Sequence, residues 1–182
     1  MAPITMASLI TPRRIIPSLR SHNAKHVITQ MSSVAAQKAS LDRFAVHKAV
    51  VDRAEHSTFG FGRGVAIPHA MLSGLEHPLG VFARLRPAQD FGAADGMPSD
   101  LAFLLLSPEG DNPTHLRALA CVVRRLRDRE VAECLRSAND VEALYTLLTS
   151  DAWREPESGH SATPRACDLT NGAMCTTLNV LC

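Results

Sequence analysis

The stretch Asp100–Ser107, DLAFLLLS, is apolar without interruption from Leu101 to Leu106. A short run with no polar residue on either face is typical of a strand that is buried on both sides. Further strands are predicted over residues 64–67 (GVAI) and 79–85 (LGVFARL), because turn-forming residues bound each run. A sheet covered on both faces requires flanking helices, so the sequence predicts an α/β fold.

Segments with helical spacing of apolar residues precede and follow these strands in the chain. Ser40 is expected to cap the second helix, and Asn112, followed by Pro113, the third. Asn139 to Glu142 resembles a capping box that opens the last helix. Helices are predicted over residues 22–37, 41–55, 112–126, 131–136 and 139–148, and an extended piece over 14–19.

The third of these helices combines an apolar stripe with a cationic face. Its predicted buried residues follow one another at intervals of three, four and three: Leu116, Leu119, Val123 and Leu126. The opposite face carries Arg117, Arg124, Arg125, Arg127 and Asp128. We interpret that face as solvated, with a docking surface as the less favoured reading.

Composition gives no support for several classes of protein. The 182 residues carry 19 Lys and Arg against 18 Asp and Glu, a net charge of +1, which gives no support for binding nucleic acid or an anionic membrane. No apolar run approaches the roughly 20 residues that span a bilayer. Five cysteines without a close pair favour a reducing compartment, so a soluble cytoplasmic protein is predicted. The periodicity ends near residue 151, and residues 151–182 are predicted to be a flexible tail.

Two of the eight histidines stand in sequence contexts that suit chemistry. His69 ends the stretch FGFGRGVAIPH (Phe59–His69), in which Pro68 cannot donate a backbone hydrogen bond. The chain is therefore expected to leave the sheet there and to present a largely neutral imidazole at a strand end. His115 is predicted to lie in the first turn of a helix, where free N–H groups favour an anion. A purely structural role remains open for each.

Other kinds of site find little support. The alternating glycines Gly60, Gly62 and Gly64 match neither common nucleotide-binding loop, and no nucleophilic serine elbow occurs. The six remaining histidines lie in polar contexts and are expected to be solvated, and no metal motif is present. The sequence therefore predicts no cofactor and no metal.

The segments FGFGRGVAIPHA and NPTHLRALACVVRRLRDREVAECLRSANDVEALYTLL resemble the IIA proteins of the phosphoenolpyruvate-dependent phosphotransferase system, in the fructose/mannitol class and closest to the nitrogen-regulatory branch. The resemblance covers residues 5–150 and implies one domain with a mixed, mainly parallel sheet sandwiched between helices. It implies a phosphorelay protein, whose partners would be an HPr-like carrier and regulatory targets such as potassium transport or sensor kinase systems.

The resemblance also implies roles for particular residues. His69 matches the histidine that accepts the phosphoryl group, His115 a second active-site histidine, and Arg53 an arginine that assists the phosphohistidine. Candidate phosphate contacts are the hydroxyls of Ser57 and Thr58 and the backbone N–H groups of Gly62 and Gly64. Phosphoryl transfer between two imidazoles needs positioning and hydrogen-bond donors, which such residues supply.

The sequence departs from the family at two positions, and the first departure keeps alternatives open. Phe59 stands where the family usually has threonine, and Ala70 replaces a glycine that commonly follows the histidine. The first change favours an alternative function, a non-catalytic regulatory interaction module of the same fold. A third hypothesis is an α/β protein that binds a small molecule or metal and retains it through purification.

Overall fold

The computed structural model describes residues 3–39, 41–54 and 57–150, and within them six strands form one sheet. The helices are α1 Met6–Leu9, α2 Ala24–Ala39, α3 Arg43–Ala54, α4 Asn112–Leu126, α5 Arg129–Ser137 and α6 Val141–Thr149, with a 3₁₀ turn at Pro12–Arg14. The strands are β1 Ile15–Arg20, β2 Gly60–Gly62, β3 Val65–Ala66, β4 His69–Leu72, β5 Leu79–Gln89 and β6 Ser99–Pro108.

The sheet is mixed and mainly parallel, as predicted. Its order is β1-β5-β6-β3-β2, and β4 pairs with β6 beyond the end of β3. β1 with β5, β3 with β6 and β4 with β6 are parallel pairs, whereas β5 with β6 and β2 with β3 are antiparallel. Strand β6 therefore lies at the centre and contacts three other strands.

The two faces of β6 belong to two different apolar cores. Leu101, Phe103 and Leu105 pack with the cluster that contains α1, α4, α5 and α6. The alternate residues Ala102 and Leu104 pack with the cluster beneath α2 and α3. Since successive side chains of a strand point to opposite faces, an uninterrupted apolar run is what a central strand between two helical layers requires.

The chain does not leave the sheet at Pro68, and that expectation was wrong. β3 ends at Ala66 and β4 begins at His69, and both pair with β6 in parallel. The carbonyl of Pro68 accepts a hydrogen bond from the N–H of Leu105 at 2.9 Å. Proline lacks only a donor, so its carbonyl still joins the ladder and the strand direction resumes at once.

Two predicted helix caps differ from the observed ones by one residue. Asp111, and not Asn112, caps α4, because its carboxylate accepts the N–H of Thr114 at 3.0 Å. Likewise α6 begins after Asp140, which accepts the N–H of Ala143 at 2.8 Å. In both cases the aspartate is the residue whose side chain reaches the free N–H groups of the first turn.

The predicted apolar stripe of α4 was also wrong in part. Leu116 is 63% exposed, and only Leu126 of the four predicted residues is buried. The buried residues of α4 are His115, Ala118, Cys121, Val122 and Leu126. Apart from Val122 and Leu126, this face consists of a histidine, an alanine and a cysteine, which are weaker signals in a sequence than leucine.

Some expectations concern residues outside the described ranges. These include the cap at Ser40, the predicted tail at residues 151–182, and the solvated state of His56 and His160. None of the helices within the described ranges is both long and apolar enough to cross a bilayer.

Candidate functional site

His69 is held by its own chain segment, as the first residue of β4. The side chain is 6% exposed, and its Nδ1 lies 2.9 Å from the carbonyl oxygen of Ile67. A carbonyl oxygen only accepts hydrogen bonds, so Nδ1 must carry the proton and donate it. In the neutral ring the lone pair is therefore on Nε2. The Ile67–Pro68–His69 segment thus fixes which ring nitrogen carries the lone pair.

Phe59 forms one wall of the pocket around the His69 ring. The two rings meet edge to face, with centroids 5.5 Å apart and planes at 62°. Phe59 is 3% exposed, its N–H donates to the carbonyl of Phe91 at 3.2 Å, and its carbonyl accepts the N–H of Ile67 at 2.8 Å. These contacts fix the Phe59 backbone beside the strand that carries His69 and shield one side of the imidazole from water.

His115 approaches His69 from the first turn of α4. The ring centroids are 5.5 Å apart, with planes tilted by 39°. Nδ1 of His115 lies 3.0 Å from Oγ of Ser107, and both residues are buried. Since His69 pairs with Leu105 and Ser107 lies two residues further along β6, one strand positions both imidazoles. The structure therefore brings together the two histidines that the sequence singled out.

The surroundings of both imidazoles lower their pKa values and so favour the neutral form. Burial lowers the pKa of His69, with a further lowering by the charge of Arg53, and the Ile67 hydrogen bond opposes this by raising it. Burial lowers the pKa of His115 as well, followed by the charges of His69 and Arg53. Arg53 itself is exposed in the last turn of α3, which packs against β4. Its cationic group is near enough to act on both rings.

The four candidate phosphate contacts fall into two places. Ser57 follows α3, and its hydroxyl donates to the carbonyl of Arg53 at 3.1 Å, while Thr58 is exposed beside Phe59. Gly62 and Gly64 lie at the other end of the sheet, where an added Cβ would meet Asp95 and the side chains of Arg136 and Asp100, respectively.

The register of the sheet gives the distance of Gly62 and Gly64 from His69. Val65, which follows Gly64, pairs with Leu101, whereas His69 pairs with Leu105. Four residues of strand correspond to about 13 Å. The N–H groups of Gly62 and Gly64 are therefore too distant to contact a group on His69, and this predicted role is corrected: Ser57 and Thr58 remain candidates.

Residues 8–151 match the family model described as phosphoenolpyruvate-dependent sugar phosphotransferase system, EIIA 2. The chain belongs to this family. Among the residues that the structure describes, no group of three or more His, Cys, Asp and Glu is placed to hold a metal ion in this IIA domain.

Individual relatives of the IIA domain include both regulatory and sugar-specific proteins. It is 41% identical over 146 residues to a nitrogen regulatory protein of Bradyrhizobium diazoefficiens, covering 80% of this chain and 94% of that protein. It is 31% identical over 144 residues to the fructose-specific EIIABC component of Bacillus subtilis, covering 79% of this chain and 23% of that protein. The crystal structure of nitrogen regulatory protein IIA-Ntr from Neisseria meningitidis superposes with a TM-score of 0.73 at 27% identity, over 79% of this chain and 98% of that one.

Two features of the IIA domain site were missed by sequence reasoning. The first is the edge contact between Phe59 and His69, which joins residues ten positions apart across the glycine turn. The second is Ser107, whose hydroxyl contacts Nδ1 of His115. A signal for Ser107 exists, because it is the one polar residue that closes the apolar run of β6 and is still fully buried. Buried hydroxyls need a hydrogen-bond partner.

Proposed function

We propose that the protein is a phosphohistidine carrier in which Nε2 of His69 accepts a phosphoryl group from an HPr-like carrier. The observation that supports this most is the 2.9 Å contact between Nδ1 of His69 and the carbonyl of Ile67, which leaves a lone pair on Nε2. Burial lowers the pKa of the same ring, so that the neutral nucleophile predominates at neutral pH.

The transfer step is a displacement at phosphorus. The Nε2 lone pair of His69 forms the new N–P bond, while the bond to the donor's imidazole nitrogen breaks and its electron pair stays on that nitrogen. The His69 ring becomes cationic as the bond forms, because Nδ1 keeps its proton. The hydrogen bond to the Ile67 carbonyl then becomes charge-assisted and stronger, which favours the product.

His115 and Arg53 would stabilise the phosphoryl oxygens. If the hydroxyl of Ser107 donates to Nδ1 of His115, the proton of that neutral ring is on Nε2, where it can be donated to an oxygen. Arg53 lies close enough to influence both rings and would add a cationic group at the same place. Phosphoryl transfer is catalysed mainly by hydrogen-bond donors and cationic groups that are already in position around the phosphoryl oxygens.

A regulatory role, in the cytoplasm, is proposed in preference to sugar transport. The relative that is 41% identical is named a nitrogen regulatory protein, whereas the fructose-specific relative is 31% identical. In this role the phosphorylated and unphosphorylated states would bind regulatory targets, such as potassium transport or sensor kinase systems, with different affinities.

The test is transfer of label from phosphoenolpyruvate through enzyme I and an HPr-like carrier. We expect one acid-labile phosphate on the wild type and none on His69→Gln. His115→Gln should be labelled about 100-fold more slowly, the typical effect of losing one donor to a developing charge. His22→Gln is the matched control, because His22 is exposed and follows β1, whose last residue pairs with Arg86, six residues along β5 from Gly80, the residue opposite Leu105. Undiminished labelling of His69→Gln would refute the proposed role of His69.

The second candidate function is a regulatory interaction module that is not phosphorylated. The burial of Phe59 against His69 favours it, since the ring covers part of the imidazole. This candidate predicts that the folded wild type takes up no label while the same carrier phosphorylates another IIA protein. Uptake of label by the wild type would exclude it.

A further inference from the structure

A cleft of about 570 Å³ lies at the start of β6, away from the two histidines. It is bounded by the turn between β2 and β3, by Ala88 of β5, by the segment before β6, by the end of α4 and by one side of α5. Its base is mainly apolar. Its charged residues are Arg63, Arg127, Arg129, Arg136 and Asp100. Four arginines and one aspartate thus line a cavity of the size that usually holds a small molecule.

Two of the four arginines already have partners. Arg136 donates two hydrogen bonds to Asp100, from Nε to Oδ2 at 2.7 Å and from Nη2 to Oδ1 at 2.8 Å. Its Nη2 also donates to the carbonyl of Arg63 at 3.0 Å. Arg129 pairs with Glu133 at 3.0 Å on the surface of α5. The pair with Arg136 neutralises the carboxylate of Asp100, so Asp100 cannot also offset the positive charge of the other arginines in the cleft.

The other two, Arg63 and Arg127, have no guanidinium hydrogen bond or ion pair within the described ranges. One acid competes for Arg127, since the charge of Arg127 is the weakest of the influences that lower the pKa of Asp95. The Asp95 carboxylate accepts the N–H of Arg63 at 2.7 Å and that of Met97 at 3.1 Å. Asp95 is therefore engaged by backbone groups. Arg63 has a φ of 57°, a costly conformation for a residue with a Cβ, and the Asp95 contact helps to hold it there.

We propose that this cleft binds a small organic anion, with phosphate or carboxylate oxygens at Arg63 and Arg127 and a less polar body on the apolar base. Guanidinium groups present paired N–H donors that match the oxygens of either group, and they also stack on planar rings. The positive excess of the cleft lining is complementary to an anion.

The proposed site is separate from the phosphorylation site. Gly64 lines the cleft, and its neighbour Val65 pairs with Leu101, whereas His69 pairs with Leu105, about 13 Å further along β6. An anion in the cleft would not cover His69. The proposal therefore does not depend on phosphorylation and can be tested on the unphosphorylated chain.

Two probes distinguish the two kinds of anion: ADP carries phosphates and a planar ring, and citrate carries carboxylates without a ring. We would titrate each into the full chain at fixed ionic strength and follow amide NMR signals and calorimetric heat. The expected result is saturable binding of at least one probe, with shifts at Gly64 and Ala132, which line the cleft. Saturation by ADP alone or citrate alone identifies the preferred oxygen group.

The variants Arg63→Gln and Arg127→Gln should each raise Kd at least about tenfold, since each removes a charge-assisted contact. Arg43→Gln is the control: Arg43 is an exposed arginine at the start of α3, on the opposite side of the sheet. Failure of both probes to bind at millimolar concentration would overturn the proposal. An equal loss in the Arg43→Gln variant would also overturn it, since it would indicate general charge attraction.

Discussion

Replacing Phe59 by alanine tests whether this residue both stabilises the domain and keeps His69 neutral. The ring is 3% exposed and belongs to the apolar cluster beneath α2 and α3. Its removal loses apolar burial and leaves a cavity, which together cost about 3–5 kcal/mol of unfolding free energy for a phenylalanine in such a place. This free energy includes the contribution of the edge-to-face contact between Phe59 and His69.

The same variant should change the acid–base behaviour of His69. Burial is the largest cause of the lowered pKa, and without Phe59 water can reach the imidazole. We therefore expect the pKa of His69 to rise toward its ordinary value of 6.5. Urea unfolding gives the stability, and an NMR pH titration of the imidazole signals gives the pKa.

Phe44→Ala is the matched control, because Phe44 is 72% exposed in α3. It should change the unfolding free energy by no more than about 0.5 kcal/mol and leave the pKa of His69 unaltered. A loss below about 1 kcal/mol in Phe59→Ala would refute the packing argument. A pKa of His69 that stays unchanged or falls would refute the proposed shielding.

Two further predictions concern proton linkage and carrier docking. The pKa values of His69 and His115 are lowered from 6.5, so the folded state binds fewer protons than the unfolded chain, and the unfolding free energy should decline as the pH falls below 6.5. Urea midpoints at about pH 7.5 and about pH 5.5 measure this decline, and an unchanged decline in the His69→Gln/His115→Gln variant would contradict it. Leu116 is 63% exposed beside His115, so Leu116→Glu should slow phosphorylation by the HPr-like carrier while changing stability by no more than about 0.5 kcal/mol. A normal rate would show that the carrier does not contact this residue.

The central strand was predictable because its apolar run has no polar alternation. Each residue from Leu101 to Leu106 is fully buried, as a position between two helical layers demands. The strand order was not predictable from periodicity, since it depends on pairings such as His69 with Leu105, which join distant parts of the chain. The resemblance to the IIA family supplied the mixed, mainly parallel character of the sheet but not its strand order.

Local signals located the histidines but not their surroundings. Pro68 was taken to end the strand because it lacks an N–H, yet its carbonyl bonds to Leu105 and the ladder continues. The stripe of α4 was misplaced because Leu116 is a stronger apolar signal than His115 or Ala118, although only the latter two are buried. Tertiary packing decided between two possible faces of the helix.

The hydrogen bond from His69 to Ile67 also has a consequence for regiochemistry, that is, for which ring nitrogen reacts. It joins residues only two positions apart, so the choice between the ring nitrogens depends on a local turn and not on residues brought from elsewhere in the fold. If His69 is phosphorylated as proposed, a variant at Arg53 or His115 would alter the speed of the reaction but not which regioisomer of phosphohistidine results. The regiochemistry of the proposed product therefore depends on three consecutive residues, Ile67, Pro68 and His69.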